Sequence, residues 1–259
     1  MRPAREAKAA LEVAAVDVIA APGMAPLARA VAFGLRPGER LALVGRNGAG
    51  KSTLLRQIAG LHPLAGDGVQ VCIGGQPLAA ARPRDLARAR ALMPAQPRDR
   101  FNLSVTALLE LAQPQPDARS LGEVLRRVDA WELRGRDVLA LSAGERQRVA
   151  LAQALVQDCP LLLLDEPVAF QDPGHQRLVG TVLAALHDKT VVCCAHDVNW
   201  VAQHATHVLG LGLAQTAPGA PDWFFAGCEQ ALTAERLEAL YGCRWTQLGG
   251  SGQRAWVPA

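Results

Sequence analysis

The sequence lacks a long unbroken apolar run, a paired-cysteine motif and any strong imbalance of charge. Its longest uncharged stretch, Val198 to Pro221, is broken by Asn199, Gln203, His204, His207, glycines and prolines. A spanning helix needs roughly 20 mostly apolar residues, so no membrane-crossing segment is expected. The six cysteines, Cys72, Cys159, Cys193, Cys194, Cys228 and Cys243, show no C-x-x-C spacing. Cys193 and Cys194 lie in an apolar run that reads as a buried strand, which predicts reduced core thiols and a cytoplasmic chain. Lys plus Arg number 27 against 24 Asp plus Glu, a net charge of +3 that offers no extended surface to nucleic acid. Residues Met1 to Ala10 carry Arg2, Arg5, Glu6 and Lys8 but no apolar segment of a secretory leader.

What is present is a chain of 259 residues, half of them apolar, enough to bury a core. Leu41 to Val44 is a short apolar run that meets a glycine-rich loop, and Ser52 to Ala59 continues with helical spacing of Leu54, Leu55 and Ile58. Val69 to Ile73 reads as a strand and Arg84 to Ala91 as a helix. From Gln96 to Ser142 strand signals vanish; Val105 to Ala112 and Leu121 to Val128 have helical spacing around the loop Gln113 to Asp117, which predicts a helical insert. Leu161 to Leu164 and Thr190 to Cys194 are continuous apolar runs between helical patterns, as in parallel strands covered on both faces. The tail predicts one short helix, Leu232 to Tyr241, with Thr233 as its cap, while the cluster Trp223, Phe224, Phe225 stays unassigned.

Gly45-Arg46-Asn47-Gly48-Ala49-Gly50-Lys51-Ser52 fits G-x-x-x-x-G-K-[ST] between a predicted strand and helix. The glycines let successive backbone N–H groups face phosphate oxygens, and the helix start adds its positive end. Lys51 is placed to reach the β- and γ-phosphates, and Ser52 to offer a hydroxyl to Mg²⁺. Leu161 to Glu166 ends a buried strand in two carboxylates, Asp165 to orient a metal-bound water and Glu166 to act on the attacking water. Leu141 to Arg148 makes a second small-residue turn into a helix, another anion site by physics alone.

The segment LSAGERQRVALAQAL resembles the signature of ABC ATPases, whose usual core is LSGGQ, and the resemblance spans nearly the whole chain. It implies an α/β P-loop NTPase (RecA-like) core, residues 1–96 and 156–217, with an inserted α-helical subdomain, 97–155, and a C-terminal extension, 218–259. It implies that Gly45, Asn47, Gly48, Gly50, Lys51, Ser52 and Thr53 bind ATP. Ser142 and Gly144 would complete the site of a second copy across an ATP-sandwich dimer. Ser52, Asp165 and Gln96 would serve Mg²⁺. Gln96 would also sense the attacking water, Glu166 act as base, and Lys51 and His196 hold the γ-phosphate. The implied partners are two transmembrane permease subunits and, indirectly, a periplasmic binding protein; nucleic acid is not among them. The implied place is the cytoplasmic face of the inner membrane.

The pattern departs from the family at three places. Ala143 replaces a signature glycine, so a Cβ is expected to cost of order 1 kcal/mol at a turn of positive φ or close phosphate approach. Phe170 and Gln171 are unusual in the loop after Glu166, whereas Asp172 matches. No aromatic residue precedes Phe33, so adenine is expected to stack weakly. Pro97 to Val105, with Arg98, Asp99, Arg100 and Phe101, is expected to receive a coupling helix of the permease. The tail LTAERLEALYGCRWTQL resembles ATPases serving importers of siderophores, haem and vitamin B12, and the short connection from Leu108 to Asp117 with the ending GQRAWVPA favours vitamin B12 among them. Import of a ferric siderophore or haem is the alternative, and a non-hydrolysing regulatory cassette the alternative class.

Overall fold

Alternating burial, interrupted once at Ala15, opens the chain in a computed structural model that describes residues 9–97, 99, 101–113, 118–213, 221–249 and 255–259. Strand β1 (Leu11–Val18) buries Leu11, Val13, Val16 and Val18, and β2 (Ala28–Leu35) returns antiparallel beside it. Next come β3 (Arg40–Val44), α1 (Lys51–Ile58), β4 (Gln70–Ile73) and β5 (Gln76–Pro77). Then follow α2 (Pro83–Ala89), β6 (Arg90–Met93), α3 (Val105–Ala112), α4 (Ala118–Arg127) and α5 (Ala143–Leu155). The second half runs β7 (Leu161–Asp165), α6 (Pro173–Ala184), β8 (Thr190–Cys194), α7 (Val198–His204) and β9 (His207–Leu211). It closes with β10 (Trp223–Gly227), α8 (Cys228–Ala231), α9 (Ala234–Tyr241), β11 (Trp245–Leu248) and β12 (Ala255–Pro258).

The main sheet has the order β10-β9-β3-β8-β7-β6, parallel except for β10. Its central strands are buried on both faces, β7 and β8 at every residue, which is why their sequences are continuous apolar runs. A second, antiparallel sheet of order β2-β1-β4-β5 covers one side. It shares a core with α1, through Leu54, Leu55 and Ile58, and with one face of the main sheet, through Leu41, Leu43 and Leu163. The other face packs on α3, α5, α6 and α7 through Leu109, Leu151, Val179 and Val201. Among the described residues no helix is long and apolar enough to cross a membrane.

The structure corrects one sequence expectation here. The helix expected over Arg84 to Ala91 ends at Ala89, and Arg90–Met93 forms β6 instead. Ala91 and Met93 are buried and pair with β7, while Arg90 Nε donates to the Ala59 carbonyl at 2.6 Å. The unassigned Trp223, Phe224 and Phe225 form β10 at the sheet edge; Trp223 Nε1 donates to the Arg29 carbonyl at 2.8 Å and Phe225 stacks on His207. The loop Gln113 to Asp117 lies, after Gln113, outside the described residues.

Candidate active site

Parallel strands deliver their C-terminal ends to one edge of the main sheet, the place where open α/β sheets bind ligands. β3 leads there into the loop from Gly45 to Gly50, β7 into Glu166, and β8 into His196. Gly45, Gly48 and Gly50 have φ of 138°, 82° and 97°. At Gly45 glycine is obligatory on a second count, since a Cβ would lie 2.3 Å from the Leu211 carbonyl oxygen.

The helix that follows is left open at its start. Side chains cap α3, α5, α6, α7 and α9 through Ser104, Ser142, Asp172, Asp197 and Thr233. α1 has neither a side-chain cap nor an acidic residue in its first turn. Its free N–H groups and positive end therefore remain available to an anion. Lys51 Nζ donates to the carbonyls of Gly45 (2.8 Å) and Arg46 (3.1 Å), folding the loop around its own ammonium. Burial pushes the Lys51 pKa down, against the pull of Cys194, Glu166 and Asp165.

Ser52 Oγ donates to Asp165 Oδ1 at 2.9 Å, which sets two hard oxygen ligands side by side at the foot of the loop. This donor set fits Mg²⁺, which binds through few protein oxygens and keeps its remaining positions for water and phosphate. Glu166, next in the chain, has a left-handed backbone, φ 54°, strained for a residue with a Cβ. Its carbonyl accepts from Gln147 Nε2 at 2.8 Å, and its Oε1 lies 2.8 Å from His196 Nε2. A cavity of about 250 Å³ joins Asn47, Gly48, Gly50, Lys51, Ser52 and Thr53 to Glu166 and His196, with Ala20 and Leu27 as its apolar wall. A larger cavity, about 880 Å³, includes Leu161 and Thr190, the first residues of β7 and β8, and so lies at the opposite sheet edge.

Three expectations change. Ala143 carries no positive φ: Ser142 is the N-cap and Ala143 the first helical residue of α5, so the backbone cost expected of its Cβ does not arise. Ser142 and Glu145 form a capping box, with Ser142 Oγ accepting from the Glu145 N–H and Glu145 Oε2 from the Ser142 N–H. Gln96 is exposed in the bend after β6, and among the described residues it is not part of the cavity wall. Asp99, expected on an outward contact surface, instead makes a two-pronged ion pair with Arg146 of α5, both largely buried. Phe101 is 73 % exposed, and Arg98 and Arg100 lie outside the described residues.

Sequence reasoning missed Gln147, whose place on α5 gave no sign of a long reach to Glu166. It also missed the tie from Gln171 Nε2 to the Gly144 carbonyl, 2.9 Å. This tie packs the loop after Glu166 against the start of α5 so closely that a Cβ on Gly144 would meet the Phe170 carbonyl at 2.9 Å.

At the far end of that loop His175 bridges two carboxylates, Asp172 Oδ2 at 2.7 Å and Asp129 Oδ2 at 3.0 Å. Both hydrogen bonds raise its pKa against burial and Arg148, so the imidazolium is favoured. A raised folded pKa gives stability present in full below the ordinary imidazole value, about 6.5, and lost as pH rises through the folded value. His175→Gln is therefore expected to lower the melting temperature more at pH 6 than at pH 9. Equal losses at both pH values would show that the bridge does not titrate.

Residues 28–169, more than half of the chain, match the family model for ABC transporters. The chain belongs to the ABC transporter family as an ATP-binding subunit, an ATPase coupled to transport, built on the P-loop NTPase fold. The hemin import ATP-binding protein HmuV of Burkholderia ambifaria is 38 % identical to it over 264 residues, covering 89 % of this chain and 94 % of the relative. HmuV of Nocardia farcinica is 37 % identical over 222 residues, covering 82 % and 74 %. An inward-facing metal-chelate type ABC transporter shares the fold, with a TM-score of 0.77 at 24 % identity over 97 % of this chain and 98 % of that one.

Proposed function

We propose that this chain hydrolyses ATP between two copies of itself to drive uptake of an iron chelate, haem, through a pair of transmembrane permease subunits. The observation that carries the hydrolytic part is the Glu166–His196 contact at the rim of the phosphate loop. It gathers a general base, a proton donor and the open end of α1 around one cavity. Gly45, Asn47, Gly48, Gly50 and Thr53 bind the phosphates with Lys51. Ser52 and Asp165 hold Mg²⁺, which when bound neutralises phosphate charge. Glu166 takes a proton from the attacking water, and His196 steadies the γ-phosphate. Ser142 and Gly144 close over the nucleotide of the second copy. Gln96, in the bend after β6, is kept as the partner of the metal and the attacking water in the ATP-bound pair.

The substrate assignment rests on relatives named for hemin import. It favours the haem alternative over the vitamin B12 reading drawn from the tail. The chain sits at the cytoplasmic face of the inner membrane, held by the permease, and a periplasmic binding protein delivers the chelate. Exposed Phe101 is the anchor offered to the permease.

ATPase turnover of the complex with its permease is expected to rise when the binding protein carries haem. Cobalamin and a ferric siderophore are expected to leave it at the unstimulated level. Stimulation by cobalamin alone would restore the vitamin B12 reading, and absence of turnover in the complex would favour the regulatory cassette.

A further inference from the structure

The C-terminal elements touch the phosphate loop at one point and the helix that follows His196 at another. α9 ends in Tyr241, followed by Gly242 in a left-handed turn. The Tyr241 hydroxyl is buried and has no hydrogen-bond partner among the described residues. The polar group it faces is the backbone amide of Gly45, the first residue of the phosphate loop, which partly offsets the rise in the phenol's pKa caused by burial. A Cβ on Gly242 would lie 3.9 Å from the Arg46 guanidinium, so the turn abuts the next residue of the loop as well. Gly45 and Arg46 are the two residues whose carbonyls accept from Lys51 Nζ.

The second point is on β12. The Trp256 backbone N–H donates to Asn199 Oδ1 at 2.6 Å, and Asn199 Nδ2 donates to the Trp256 carbonyl at 2.9 Å. Asn199 lies three residues after His196, in the first turn of α7, which Asp197 caps by accepting from the N–H groups of Asn199 and Trp200. The reciprocal bond copies a strand pairing with a side chain and fixes both partners in register. β12 in turn pairs with β11, which follows α9, and Trp245 of β11 packs on Tyr241. α9 and the β11–β12 pair thus lie against the start of the phosphate loop on one side and bond the helix behind His196 on the other.

We infer that α9 and the β11–β12 pair are a positioning clamp for hydrolysis. Tyr241 sets the phosphate loop through the Gly45 amide, and Asn199 sets His196 through Trp256. The inference rests on the proposed roles of Lys51, Glu166 and His196. Neither Tyr241 nor Asn199 touches the nucleotide.

Steady-state ATPase kinetics of the full chain separate the two arms. Tyr241→Phe keeps the ring and deletes only the hydroxyl that faces the Gly45 amide; it is expected to raise the KM for ATP severalfold, with kcat nearly unchanged. Asn199→Ala is expected to lower kcat about tenfold with KM nearly unchanged, because it loosens His196 and leaves the loop intact. Asn199→Asp keeps the acceptor for the Trp256 N–H and is expected to recover part of that loss. A purely structural role predicts lower melting temperatures with unchanged kcat and KM. That pattern, in a protein whose turnover is abolished by Glu166→Gln, overturns the clamp and leaves the site standing. Turnover that survives Glu166→Gln overturns both.

Discussion

Replacing Glu166 by Gln is expected to reduce turnover by roughly 10²–10⁴-fold, the usual contribution of a positioned general base. Nucleotide affinity is expected to stay near that of the parent chain, because Lys51, Ser52 and the uncapped start of α1 are untouched. The amide still accepts from His196 through its oxygen, so the local geometry survives the change. With hydrolysis blocked, ATP is expected to hold two copies together on a sizing column, where ADP does not. Turnover close to that of the parent would reject Glu166 as the base and move the role to another group at the cavity.

Truncation of Arg146 carries the largest expected effect on stability. The guanidinium and Asp99 are 11 % and 14 % exposed, and the pair ties the segment after Gln96 to α5. Arg146→Ala leaves the carboxylate in a poorly solvated place without its partner, at a cost of about 3–5 kcal/mol. A chemical denaturation curve checks this. The double variant Arg146→Met, Asp99→Leu is expected to recover most of the loss, since removing both charges removes the desolvation penalty with the attraction. A single variant as stable as the parent would show that solvent reaches Asp99 freely.

The parts of the site legible in the sequence are those that local chain chemistry determines. The phosphate loop needs glycines at fixed offsets, and its three left-handed glycines stand within six residues. Leu161 to Asp165 and Thr190 to Cys194 announce themselves because both faces are buried. β1 did not, because a bulge breaks its period: the register with β2 shifts between Val13 and Val16, and Ala15 takes φ 53°. The eye therefore meets LEVAAVDV as an irregular apolar stretch. β11 and β12 were hidden for another reason. Thr246, Gln247 and Leu248 are exposed, and the pairing that makes them a strand is with residues across a connection.

Long-range polar ties were equally invisible. Asp99 reads as a surface charge until the fold brings Arg146, 47 positions later, against it. Asn199 reads as a break in an apolar run until Trp256 arrives 57 positions away. The positive φ expected at Ala143 is absent because the position, which looks like part of a glycine turn, is already helical. The capping box of Ser142 and Glu145, present as S-x-x-E in the sequence, was the sign that a helix had already begun.

The contact between His196 and Glu166 has a further consequence. A single Nε2 proton serves one acceptor at a time, and in this arrangement it is committed to the carboxylate. The same ring nitrogen that is proposed to steady the γ-phosphate is thus engaged by Glu166, while the second carboxylate oxygen stays open. On the proposed roles, one imidazole nitrogen is shared by two acceptors in turn, so exchange of the first for the second is a step of its own.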